Sequence, residues 1–260
     1  IWIGTATSGF INQVYFAPTL GASGDSVYRL GGGGNQGTLR IGAGAFENVL
    51  TGANSVQIGA TVGGNAFNAP GVINGNFNLS LQNRNNYSGD TWANRATTLN
   101  IENNFGFGTG KLVVNQTTTT GQSIGQGSEG ALQTFAGAMS PLNNVDMVGD
   151  LRWQGNGDLV FRGNVNLAPG GSGGTRVLEV GVGGQSSLVG INGVISGAGS
   201  NLIKTGNQPL VSRRPCSPGF WSGPMCCRAL PELSGSAARP CSTLPPDRPV
   251  TTPGSVSVAR

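Results

Sequence analysis

The chain has 260 residues, 37% of them hydrophobic and only 10% charged, with no histidine and a formal charge of +4. That length suffices for one buried core or one repeat array, and the missing histidine excludes Ser-His-Asp and Cys-His nucleophile systems and the commonest zinc ligand. The net positive charge sits wholly in residues 209–260. In residues 1–208 nine basic residues balance nine acidic ones, and Lys111, Lys204 and seven scattered arginines form no patch or stripe for nucleic acid.

The chain opens on Ile1-Trp2 without a basic segment followed by an apolar one, so an export signal, if used, is expected to have been cut off or to lie outside this sequence. No run approaches 18 apolar residues, so no membrane-spanning helix is expected. Glycine every four or five residues would cost a helix about 1 kcal/mol apiece relative to alanine. Short strands fit better.

In chain order the strand signals are Leu39 and Ile41, then Val56 and Ile58. Next, Phe77, Leu79 and Leu81 alternate with Asn76, Asn78 and Ser80, placing apolar and small polar side chains on opposite faces. Leu99 with Ile101, Leu112 with Val114, Leu151 with Trp153, Leu159 with Phe161, Val165 with Leu167, and Leu178 with Val180 continue the series. Gly-Asn, Gly-Gly, Asn-Gly and Gly-Ser steps between them accept positive φ and let the chain turn, and Gly31 to Gly34 reads as such a turn.

An antiparallel sandwich or barrel would show similar short strands. Repetition separates the two readings: Ile58, Leu79 and Leu99 are spaced by 21 and 20 residues, close to one turn of a solenoid, and after Leu151 the rhythm quickens to about 8 to 11, as if several faces of each turn were visible. An all-β solenoid is the expected fold.

Candidate chemistry is sparse. The segment FGTGKL, Phe107 to Leu112, lacks the first glycine and the final Ser or Thr of a phosphate-binding loop, Phe105 and Leu112 standing there, and is expected to be a β-turn. GNGDLVF, Gly155 to Phe161, is a single partial copy of a calcium nonapeptide, which needs a neighbouring turn to complete its oxygen shell; a strand entered from an Asn-Gly turn is the plainer reading. Cys216, Cys226, Cys227 and Cys241 lack zinc-like spacing and read as disulfide or free thiols.

Asp146, Asp150 and Asp158 with Arg152 and Arg162 form the only mixed charge cluster. A polysaccharide lyase or hydrolase would need a base and cations, or two carboxylates about 5 to 9.5 Å apart, and solvated charges flanking strands are the alternative. No catalytic, cofactor-binding or metal-binding residue is assigned.

Two segments carry a family resemblance. Asn76 to Asn115 contains a strand, the corner Asn85-Asn86-Tyr87-Ser88-Gly89-Asp90-Thr91, a Thr-Leu strand and a Gly-Thr-Gly-x-Leu step. Gly193 to Leu210 contains Ile-Ser-Gly and Leu-x-Lys-Thr-Gly, with Lys204, Thr205 and Gly206 carrying the match. Together with the less specific VYRLGGGG, Val27 to Gly34, and the following Thr38 to Ile41, these resemble the autotransporter-associated β-strand repeat of bacterial surface and secreted proteins.

The resemblance implies a right-handed parallel β-helix, export to the cell surface or beyond and, in full-length members, often a C-terminal outer-membrane barrel. The chain departs from it at Pro209, after which proline, arginine and cysteine replace asparagine. Residues 1–208 are therefore expected to form the repeat region. Residues 209–260 are expected to be a disordered tail, either out of frame or spliced in by error, or a genuine Pro-rich linker.

The expected function is that of a non-enzymatic exported scaffold, a passenger-like stalk or adhesin whose partner is a surface glycan or cell-surface ligand. Contact would come through stacked Asn, Thr, Ser and Tyr side chains, including Tyr87. The alternative is a carbohydrate-active β-helix enzyme using the cluster around Asp150. No cofactor is expected, and the oligomeric state is left open.

Overall fold

The computed structural model describes residues 3, 12–30, 38–42, 44, 46–58, 77–94, 97–115, 131–133, 138–153, 157–171, 173–180 and 188–212. The turn expected at Gly31 to Gly34, the Gly155-Asn156 start of the nonapeptide-like segment, the four cysteines and the chain beyond residue 212 lie outside them.

Among the described residues the chain is all-β, apart from one 3-10 turn at Pro169–Gly171. The strands are β1 Asn12–Tyr15, β2 Val27–Leu30, β3 Thr38–Ile41, β4 Ser55–Ile58, β5 Phe77–Leu81 and β6 Thr91–Asn94. Then follow β7 Thr97–Ile101, β8 Leu112–Asn115, β9 Ala131–Gln133, β10 Val145–Met147, β11 Leu151–Trp153 and β12 Leu159–Phe161. The last are β13 Val165–Asn166, β14 Thr175–Val180, β15 Val189–Ile191, β16 Ile195–Ser196, β17 Asn201–Thr205 and β18 Leu210–Ser212.

The strands join three sheets. The first runs β1-β3-β5-β7-β9-β11-β14-β17, the second β2-β4-β6-β8-β10-β13-β16, and the third β12-β15-β18. Every pairing among the described strands is parallel. The chain thus passes from the first sheet to the second and back, each circuit lying beside the previous one, an arrangement consistent with a β-solenoid.

Alternation within strands sets the interior. In the first sheet Leu39 registers with Leu79, Leu79 with Leu99, Leu99 with Leu132, Leu132 with Trp153 and Trp153 with Val180. In the second, Tyr28, Val56, Thr91, Leu112, Val145, Val165 and Ile195 form an unbroken column. All seven of that column are buried, Thr91 included, and each fully buried aliphatic side chain contributes roughly 1.5–3 kcal/mol.

Each strand signal predicted from Leu39 to Val180 begins in a strand, although Leu167 of the Val165 and Leu167 pair lies just past the end of β13, and the quickened rhythm has a physical source. Leu151, Leu159 and Val165 sit in the first, third and second sheets respectively, so three faces of one circuit follow each other. The 21-and-20 spacing needs correction. Leu79 and Leu99 are register partners, but Ile58 lies in the second sheet and pairs with Ala93. Circuit length varies instead, from the 20 residues between Leu79 and Leu99 to the 40 between Leu39 and Leu79, because corners absorb insertions that the ladders cannot.

The expected boundary at residue 208 also falls inside an element sequence. β18, at Leu210–Ser212, pairs with β15, and the Pro209 carbonyl accepts the Val189 N–H at 3.1 Å. Proline lacks only the donor, so just ahead of a strand it still serves the ladder as an acceptor.

The corner entering the second sheet is a vertical stack of small residues. Gly89 lies against Asn54, Gly110 against Gly89, Gly163 against Asn143 and Gly193 against Gly163. A Cβ on Gly110, Gly163 or Gly193 would stand 2.1, 2.2 or 2.0 Å from the backbone oxygen of the circuit before it. Where Asn143 occupies this position, its Nδ2 donates to the Gly110 carbonyl at 2.6 Å.

Lys204 departs from the apolar pattern. It registers with the buried Leu178, is only partly exposed, and its Nζ donates to the Gly206 carbonyl. Burial lowers its pKa below the ordinary 10.5. The unfolded chain therefore holds this proton more tightly than the folded one, so Lys204 makes stability rise as pH climbs toward 10.5. Lys204→Met is expected to unfold at higher urea concentration than the parent at pH 7, and the gap should narrow by pH 10.

Candidate binding surface

Outward positions of the second sheet form a second continuous column. Arg29 registers with Gln57, Gln57 with Trp92, Trp92 with Val113, Val113 with Asp146, Asp146 with Asn166 and Asn166 with Ser196. Thr91 and Ala93 on either side of Trp92 are buried, so alternation turns the indole outward, where the residue is 39% exposed. Adjacent strands lie about 4.8 Å apart, so the side chains of this column stand at near-regular intervals.

Charges on this column are matched locally. Arg29 pairs with Asp25, whose carboxyl is held well below the usual carboxylate range by Arg29 and then by Ser23. The Lys111 Nζ reaches the Asp146 carboxylate at 2.7 Å, and that contact raises the lysine pKa. Asn166 donates from Nδ2 to Asp146 at 3.3 Å and accepts the Ala168 N–H at 3.1 Å.

The Asp/Arg cluster seen in sequence is distributed over the fold. Asp146 lies on β10 in the second sheet, and Arg152 lies on β11 in the first. Asp150 accepts the Val177 N–H at 2.7 Å, and Asp158 accepts the Leu188 N–H at 3.0 Å. Both thus hold the next circuit in place. Arg152 is 2% exposed and donates from Nε to Glu179 at 2.8 Å, while Arg162 is exposed beyond β12. These residues share no single face.

Tyr87, expected among the contact residues, is fully buried, and its hydroxyl bonds to Thr91 Oγ1. Burial pushes its pKa up, a shift that the Thr91 hydrogen bond opposes. Its aromatic bulk fills the corner between β5 and β6 instead of facing solvent. Asn85 in the same corner is also buried; its Oδ1 accepts the Leu50 N–H at 3.1 Å and its Nδ2 donates to the Gly106 carbonyl at 3.0 Å. Buried backbone polar groups need such partners, which explains asparagine here.

The FGTGKL segment is the corner leading into β8. Phe107 is buried, Gly110 packs on Gly89, and the Lys111 side chain is committed to Asp146. Among the described residues no group of three or more His, Cys, Asp or Glu could hold a metal ion, and no helix is long and apolar enough to cross a membrane.

The exposed Trp92 and its register partners were missed in the sequence, although a signal was present. In Thr91-Trp92-Ala93-Asn94 the largest side chain occupies the phase opposite the inward positions, which alternation alone exposes once the strand is recognised. Comparison with family models, curated proteins and solved structures gives no match.

Proposed function

We propose that the chain forms part of a right-handed parallel β-helix of the autotransporter-associated repeat kind, exported from a bacterial cell and serving outside it as a stiff stalk or adhesive surface. Right-handedness rests on the strong bias of parallel strand crossovers toward that hand. The export and family readings rest on the Asn85 to Thr91 corner and the Lys204-Thr205-Gly206 step.

The observation that carries the structural role is the continuity of the columns. Inward apolar side chains run through successive circuits of the second sheet, while the Asp146, Asp150 and Asp158 carboxylates are spent on neighbouring backbone and side-chain donors. An array of this kind derives its stiffness from nearest-neighbour stacking.

Incubating the full chain with plant and bacterial polysaccharides tests the reading. A bound polymer recovered at its original length supports a scaffold. Release of reducing ends or unsaturated sugars, abolished in Asp150→Asn, overturns it in favour of the carbohydrate-active enzyme.

A further inference from the structure

We infer that the outward column of the second sheet centred on Trp92 binds an uncharged glycan, the indole stacking on a sugar ring and the Gln57 amide bonding its hydroxyls; this deepens the adhesive reading and rests on it.

Three features converge on that ligand. First, Trp92 is a large aromatic on a backbone-fixed strand, 39% exposed, facing solvent in a column otherwise made of polar or buried side chains. Its ring offers an electron-rich face to the apolar C–H side of a pyranose, and the indole N–H is available to a hydroxyl. Second, Gln57 stands beside it in register, and its amide makes no hydrogen bond among the described residues. An amide supplies both donor and acceptor, which is what a sugar hydroxyl requires.

Third, the charges that could select an ionic ligand are already neutralised. On one side of Trp92 and Gln57 Arg29 is held by Asp25, and on the other Asp146 is held by Lys111. An acidic polymer would have to break one pair and a basic polymer the other, whereas an uncharged polymer disturbs neither. Ser196, exposed at the far end of the column, adds a further hydroxyl.

A protein partner fits less well. A stable interface buries about 800 Å² on each side around an apolar centre, and this column offers one exposed large apolar residue, with Val113 beside it already 3% exposed. Strand backbones fix the positions of Trp92 and Gln57 before binding, which limits the ordering cost of the ligand site.

The test is calorimetric titration of the full chain with neutral hexasaccharides of glucose, galactose, mannose and N-acetylglucosamine, and with uronic-acid hexasaccharides. At least one neutral oligosaccharide should bind, and Trp92→Ala should weaken it about tenfold or more, with Trp92→Phe and Gln57→Ala giving smaller losses. Arg162→Gln, at an exposed position beyond β12 of the third sheet and outside the column, should leave that affinity unchanged. Trp92→Phe and Gln57→Ala keep the test decisive should Trp92→Ala fold poorly.

Neutral binding that survives Trp92→Ala, Trp92→Phe and Gln57→Ala unchanged would overturn the site while leaving the adhesive reading intact. Preference for the uronic oligosaccharides would overturn the ligand class. Binding of none of them by the parent would overturn the site and, with it, the adhesive reading.

Discussion

Gly110→Ala, Gly163→Ala and Gly193→Ala should each destabilise the chain by about 3 kcal/mol or more, whereas Gly21→Ala and Gly24→Ala should change stability by less than about 1 kcal/mol. The contrast follows from what a methyl group would meet. At the first three positions it would stand 2.0 to 2.2 Å from a backbone oxygen of the preceding circuit; at Gly21 and Gly24 nothing lies within 4 Å.

Backbone cannot step aside as a flexible side-chain tip can, so relief requires the two circuits to part. Parting would break ladder hydrogen bonds next to the corner, including that from the Val165 N–H to the Val194 carbonyl at 2.9 Å. Urea unfolding followed by far-ultraviolet circular dichroism reads both sets of variants. Equal midpoints for the two sets would contradict the stacked corner.

Truncating the inward columns should have the second large effect. Leu79→Ala and Ile101→Ala are each expected to cost about 2–5 kcal/mol, because both side chains are almost fully buried, Leu79 registered between Leu39 and Leu99 and Ile101 beside Leu81. Leu79 lies between Leu39 and Leu99, so its loss opens a cavity shared by three circuits. Ser80→Ala, next to it on the opposite face, opens almost no cavity and removes a buried hydroxyl that donates to the Glu102 carboxylate, so it should cost about 1.5–2 kcal/mol, at or below the low end of the range for Leu79→Ala. The same unfolding measurement distinguishes them, and a Ser80→Ala loss equal to that of Leu79→Ala would show that the inward and outward faces have been misassigned.

Much of this fold was legible because alternation is a local signal. Phe77 to Leu81 and Leu178 with Val180 read as strands from four or five residues alone. Sheet membership was not legible. Ile58 and Leu79 look equivalent at 21 residues apart, yet they belong to different sheets, because variable corners such as the one between Ile41 and Ser55 detach spacing from position.

Strands as short as β16, with only Ile195 and Ser196, carry no alternation of their own, and in the sequence β16 shows only through the Ile-Ser-Gly step of the resemblance. The candidate surface was harder to read for a related reason. Asp146, Asp150 and Asp158 are close in sequence and were grouped, but short strands and sharp corners send them to different parts of the circuit. Tyr87 looked like an exposed aromatic because polar residues surround it, and its burial depends on packing against circuits distant in the chain. Trp92 and Gln57 are 35 residues apart and become neighbours only through parallel register.

The stacked parallel register underlies both the proposed scaffold and the proposed glycan-binding column, and one distance tests it directly. With the four tail cysteines replaced by serine, spin labels are placed at Gln57 and Asn166, and their separation is measured by pulsed electron paramagnetic resonance. Four strand steps separate the two positions through Trp92, Val113 and Asp146, so the backbone separation should be about 19 Å at 4.8 Å per step, with one narrow distribution centred within label reach of it. A broad distribution, or one centred beyond about 35 Å, would contradict the parallel stack of circuits.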